Sequence, residues 1–201
     1  MTRTAFAIVL ALAAMAGCGD DGPRQALRSV SVRASGCSLT DELAAGFVVD
    51  DGTVLTVAHV LHRRSEVAVD GVSGEVVAID HRIDAALIAV ELSGPAATFA
   101  DEPATGPVTV AGRAGVVSRV VDADVEEPRH DATYRRRALQ LDAVVARGES
   151  GAPVVGPDGT LLGMVFAAST ASDTRAYAIT ADELAPFVDS AGDLQMATLA
   201  C

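Results

Sequence analysis

The sequence predicts an all-β protein: two six-stranded antiparallel β-barrels followed by a short C-terminal helix. Three observations carry this. Val and Thr recur in short runs bounded by Gly and Asp, the composition of strands that pack on a pleated surface. The runs fall into two sets of about six, divided by a breaker-rich stretch over residues 93–106. Asp50-Asp51-Gly52 and Pro157-Asp158-Gly159 stand between apolar runs as hairpin turns. A length of 201 residues suits one compact domain or two small barrels. With 3% aromatics and no Trp, the core must be built from Val, Ala, Leu and Ile.

In chain order, residues 1–17 read as an export signal. Arg3 gives a positive start, residues 5–14 are apolar but too short to span a bilayer, and Met15-Ala16-Gly17 puts small residues before Cys18. That resembles a bacterial lipoprotein signal, with lipid added to Cys18. A plain secretory signal with Cys18 incidental is the alternative. Residues 18–25, with Gly19-Asp20-Asp21-Gly22-Pro23, form a polar tether, and the folded domain occupies 26–201. Barrel one covers about 26–93, with strands expected over 26–32, 46–49, 53–57, 66–69, 74–79 and 85–92. Barrel two covers about 107–180, with strands over 108–112, 115–122, 134–145, 152–155, 161–168 and 176–179. Thr180-Ala181-Asp182-Glu183 reads as a capping box opening a helix over about 181–189.

Cys37 and Cys201 remain after Cys18. Export places them in an oxidising space, where two leftover cysteines pair, and closing so long a loop would contribute about 4–5 kcal/mol in the chain-entropy picture. Two free thiols are the alternative.

The formal charge is −12, which lacks the basic footprint that phosphate backbones require, so nucleic acid is excluded as a partner. The membrane enters only through the lipid anchor on Cys18. Arg135-Arg136-Arg137 reads as a solvated face or a local ion-pair site. No His/Cys cluster has metal spacing and no Gly-rich phosphate loop follows a strand, so no metal and no cofactor is expected.

The chemistry concentrates around Gly148-Glu149-Ser150-Gly151-Ala152-Pro153. Glycines beside a serine permit a turn that presents the hydroxyl and aims the N–H groups of Gly148 and Ser150 at one point, the geometry of an oxyanion hole. A serine hydroxyl needs a base, and the base needs an orienting group. Thr56-Val57-Ala58-His59 puts an imidazole just after an apolar strand, and Asp84-Ala85-Ala86-Leu87 puts a carboxylate just before another. Both are strand ends able to face one cleft. Asp80 is the rival acid. His62, His81 and His130 sit among charged residues and read as surface groups.

These three segments, in the order His59, Asp84, Ser150, resemble the trypsin/chymotrypsin-fold serine peptidases, and more closely the HtrA-like bacterial branch. Gly159-Thr160-Leu161-Leu162-Gly163 and Tyr177-Ala178-Ile179-Thr180 resemble family strands too. The resemblance implies a trypsin-like double barrel hydrolysing peptide bonds through an acyl-enzyme. Ser150 would be the nucleophile, His59 the base and later the acid, Asp84 the orienting group, and the Gly148 and Ser150 N–H groups the oxyanion hole. It also implies a substrate pocket near Val144, Ala167, Ala168 and Ala176, with no acid at its base, hence cleavage after small or medium apolar residues of protein or peptide substrates. Glu149 departs from the family's Asp or Asn at that position. Activation by a freed N-terminus is not expected if Cys18 is acylated, and no PDZ module is expected after the helix. The alternatives are a catalytically inactive peptide-binding or scaffold protein of the same fold at the envelope, and an esterase sharing the chemistry.

Overall fold

The computed structural model describes residues 26–127, 131–190, 199 and 201. The signal and tether segments with Cys18, and His130, lie outside them. The first barrel comprises β1 (Ser29–Ser35), β2 (Glu42–Asp50), β3 (Thr53–Val57), β4 (Glu66–Val69), β5 (Val72–Asp80) and β6 (Ala85–Ala89), closed in the order β1-β2-β3-β6-β5-β4. The second comprises β7 (Gly106–Val110), β8 (Arg113–Glu127), β9 (Ala132–Asp142), β10 (Pro153–Val155), β11 (Leu161–Ala168) and β12 (Arg175–Thr180), closed as β10-β11-β12-β9-β8-β7. All strand pairs are antiparallel, and β10 closes the second barrel on β7 through only two residue pairs.

Burial follows strand chemistry. β1 alternates, with Val30, Val32 and Ala34 inward. β6, paired between β3 and β5, is apolar throughout and buried over Ala85–Ile88 on both of its faces. One core cluster fills the first barrel and continues without a break into Leu161, Met164, Phe166 and Ile179 of the second and into Leu184 and Phe187 of the helix α1 (Ala181–Asp189). A smaller cluster around Val110, Leu139, Leu141, Val154 and Val165 fills the second barrel. The seam between the barrels is therefore apolar packing, well suited to hold strand ends in register.

The strand that differs most from expectation is β8, expected to stop at Asp122 but running to Glu127. Its acids stand opposite bases: Asp122 faces Arg137 and Asp124 faces Arg135 on β9. Opposite charges directly across a ladder support it, so acids that read as a strand end are strand residues here. Residues 93–106 are more than a link. Ala97 donates to the Val49 carbonyl of barrel one, while Leu161 of barrel two donates to Thr98 and accepts from Ala100. The helix starts where expected, but the capping box is not formed: the Thr180 hydroxyl donates to the Arg137 carbonyl at 3.4 Å and makes no cap bond. Thr180 is fully buried against β9, which claims its hydroxyl first. Asp182 and Glu183 still sit in the first turn, favourable to the helix dipole. A Cys37–Cys201 disulfide joins the β1–β2 loop to residue 201, with Cα atoms 5.4 Å apart.

Candidate active site

Barrel one supplies the imidazole and the carboxylate. β3 runs straight into a single 3-10 turn, Ala58–Leu61, carrying His59. Asp84 ends the β5–β6 turn with φ 53°, a left-handed conformation in which Asp is several-fold enriched among non-glycine residues. The two segments are fastened three times. Ala58 N–H donates to the Asp84 carbonyl at 3.1 Å, His59 N–H donates to Asp84 Oδ1 at 2.8 Å, and His59 Nδ1 lies 2.7 Å from Asp84 Oδ2. Asp84 is buried and the His59 side chain is one-fifth exposed. A carboxylate only accepts, so Nδ1 carries the proton and neutral His59 presents Nε2 as the acceptor. Asp80, the rival acid, is spent elsewhere: its Oδ1 accepts from the N–H groups of Arg82 and Ile83.

Barrel two supplies the serine turn, and the first barrel holds it. Ala45 N–H on β2 donates to the Ser150 carbonyl at 2.8 Å, and Gly151 N–H donates to the Val165 carbonyl at 2.7 Å. Gly148 and Gly151 have φ 89° and 92°. A Cβ on Gly151 would lie 2.0 Å from the Ala45 carbonyl oxygen, which already accepts from Thr56 Oγ1 at 2.7 Å. Only glycine fits there. Gly151→Ala should cost about 3 kcal/mol or more, from combined backbone strain and overpacking, read as a lowered urea midpoint.

Among the described residues neither the Gly148 nor the Ser150 N–H donates a hydrogen bond. The Ser150 hydroxyl likewise makes no hydrogen bond among the described residues. It faces a cleft of about 560 Å³ between the barrels, which is lined by Leu43, His59, Val145, Gly148, Ser150 and Ala168. Of the residues expected to wall the substrate pocket, Ala168 lines this cleft. Val144 is exposed on the surface, Ala176 is buried in the second barrel's core, and Ala167 packs against the first core cluster. The register of β11 on β12 shifts between Val165 and Ala167, which changes which residues face outward at the end of β11.

Glu149, between Gly148 and Ser150, is held by a partner that the linear sequence did not suggest. Both carboxylate oxygens meet Arg113 at the start of β8, NH1 to Oε1 at 2.8 Å and NH2 to Oε2. Arg113 NH2 also donates to the Val144 carbonyl at 3.0 Å, and Ala146 N–H donates to Glu149 Oε2 at 2.7 Å. The longer side chain thus reaches a cation and folds the 144–149 segment around it. The guanidinium hydrogen bond holds the Glu149 carboxyl below the ordinary carboxylate range, against partial burial. A depressed carboxylate pKa contributes stability above the unfolded-state value, lost as pH falls through the folded-state value. Arg113→Gln should therefore lower the Tm at neutral pH. The gap to the parent protein should begin to narrow below about pH 4.3, leaving only what the Val144 carbonyl bond contributes, as melting curves across pH 2–7 would show.

The three consecutive arginines separate by strand alternation. Arg135 and Arg137 are exposed and pair with Asp122 and Asp182 at 3.3 and 2.9 Å. Arg136 is fully buried, donating to the carbonyls of Arg82 at 2.8 Å and His81 at 3.0 Å, with Phe166 and Tyr134 beneath its guanidinium. It belongs to barrel two, and the carbonyls belong to the barrel-one turn that ends in Asp84. The period of two along β9 was the signal that the middle arginine faces inward. His81 and His62 are half-buried rather than surface groups. Among the described residues no group of three or more His, Cys, Asp or Glu is placed to hold a metal ion.

Two antiparallel barrels with an imidazole–carboxylate pair and a glycine-flanked serine on one cleft define, by fold, the class of double-barrel serine peptidases. The chain belongs to the trypsin-like peptidase domain family, whose sequence profile matches residues 44–164. It is 32% identical over 176 residues to serine protease Rv3671c of Mycobacterium tuberculosis, covering 78% of this chain and 44% of that protein. It is 29% identical over 165 residues to serine protease HTR4 of Bos taurus, covering 72% and 33%. The chain thus spans less than half the length of these relatives. Among solved structures, the active form of the Rv3671c protease matches with a TM-score of 0.76 at 24% identity, covering 95% of this chain and 99% of that one. The HtrA-type protease AlgW with tripeptide matches at 0.67 and 22%, covering 81% and 59%.

Proposed function

We propose that the protein is a serine endopeptidase that cleaves peptide bonds through a Ser150–His59–Asp84 triad and an acyl-enzyme. The observation that carries this is the double clamp of Asp84 on His59, through its backbone N–H and Nδ1, on a cleft shared with Ser150. Nε2 takes the Ser150 proton as the hydroxyl oxygen attacks the scissile carbonyl. The Gly148 and Ser150 N–H groups receive the oxyanion, and Asp84 stabilises the imidazolium. His59 then protonates the leaving amine, and water enters to hydrolyse the acyl-enzyme. Residues near Val145 and Ala168 favour a small or medium apolar side chain at the cleavage site. The Arg113 anchor for Glu149 gives the departure at that position a role in shaping the oxyanion turn, which favours an enzyme over an inactive binder. Export with lipid attachment at Cys18 fits the signal-like start and the Cys37–Cys201 bridge.

The direct test is a fluorophosphonate probe on the folded chain, followed by mass mapping of the adduct. Modification at Ser150 is expected. A protein that melts cooperatively and never reacts would sink the enzymatic reading and leave a peptide-binding protein of the same fold.

A further inference from the structure

His59 stands between two hollows. One is the cleft that holds Ser150 and Ala168. The other, about 330 Å³, lies on its far side and is lined by Ser38, Glu42, His62, Arg63 and Arg64 together with His59. Glu42 and His59 border both, so the two hollows are neighbours. The second hollow differs in chemistry from the first. It gathers two guanidinium groups against one carboxylate in a chain whose formal charge is −12. Arg64 is only 6% exposed. It donates to the Arg63 carbonyl at 3.2 Å and meets Glu42 through a single contact at 3.3 Å, while its Nε is buried with no hydrogen-bond partner among the described residues. A buried guanidinium N–H left without an acceptor is a standing free-energy cost. Arg63 beside it is exposed and held at φ 52°, a strained backbone for an arginine, of the kind that collects at ligand sites.

We infer that this hollow is a subsite for a carboxylate carried on the leaving-group half of a peptide substrate. The inference rests on the peptidase reading. His59 gives its proton to the departing amine, so the departing segment must lie on the His59 side of the serine, and the next space along that path is this hollow. Arg63 and Arg64 meet the carboxylate there by charge-assisted hydrogen bonds. An Asp or Glu side chain and a free C-terminal carboxylate share that chemistry.

The test uses internally quenched peptides with one fixed apolar acyl half, and leaving halves carrying Asp or Glu against Asn or Gln at each of the first three positions. A matched pair ends in a free carboxylate or an amide. The acid peptide is expected to be cleaved about tenfold or more faster in kcat/KM than its amide at one position, a ratio that falls towards one in Arg63→Gln and in Arg64→Gln. The ratio is the readout, so a general loss of activity does not mimic the effect, and exposed Arg63 covers the case in which the Arg64 variant fails to fold. The position of the effect tells side chain from C-terminus. Equal rates for acid and amide at every position, or a preference that survives both substitutions, overturns the subsite while fluorophosphonate reaction at Ser150 keeps the enzyme. Conversely, if the probe never reacts, titration of the isolated leaving-half peptides while following the His59 and His62 ring signals decides alone. Binding of the Asp peptide without the Asn peptide sustains the subsite, and no difference overturns it.

Discussion

Ser150→Ala should abolish peptide hydrolysis, lowering kcat on the order of a millionfold, and should remove all fluorophosphonate labelling. The size follows from the chemistry: without the hydroxyl no acyl-enzyme forms, and only the oxyanion donors and substrate positioning remain to assist water. The fold should hardly notice. The Ser150 hydroxyl makes no hydrogen bond among the described residues, while the bonds that fix the turn, from Ala45 to the Ser150 carbonyl and from Gly151 to Val165, use backbone atoms that alanine keeps. The parent and the variant should therefore share a Tm within a degree or two and differ completely in turnover. Labelling that persists in the variant would place the nucleophile elsewhere.

Asp84→Asn should lower kcat by about ten-thousandfold with KM little changed. The side chain is 4% exposed and both oxygens are engaged by His59, one by its backbone N–H and one by Nδ1. Asparagine fits the same space. Its oxygen can satisfy one of these donors, and its NH2 group then confronts the other. If the oxygen keeps the backbone N–H, the imidazole must turn its Nδ1 lone pair to the NH2 and carry its proton on Nε2, facing Ser150 with a donor where an acceptor is required. The downfield proton signal of a histidine Nδ1 bonded to a carboxylate should vanish with activity. A variant within tenfold of the parent would show that Asp84 is not needed to orient His59, whatever the fold.

The double barrel was legible because its strands obey local rules. Gly52 and Gly159 mark hairpins, the alternation in β1 declares an inward face, and the continuous apolar run of β6 declares burial on both sides. His59, Asp84 and Ser150 stood out as candidates because each sits at a turn beside an apolar strand, with small residues around it. The contacts that arrange them were not. Arg113 reaches Glu149 across 36 positions, and Arg136 reaches Arg82 across 54. Nothing in the linear text ties those positions together, since the pairing arises only when β8 and β9 have closed the second barrel. The capping box failed for a related reason: Thr180 has the right neighbours in sequence, but burial against β9 decides where its hydroxyl goes.

Arg136 has a bearing on the life of the chain before it is complete. The loop that carries Asp84 is bolted by a guanidinium made 52 positions later, and Ser150 is later still. A half-made molecule therefore holds the His59–Asp84 pair without the Arg136 brace and without Ser150, however well its first barrel has condensed. On the proposed triad, cleavage would begin only once the two halves have met, sparing neighbouring unfolded chains while the protein is still in assembly.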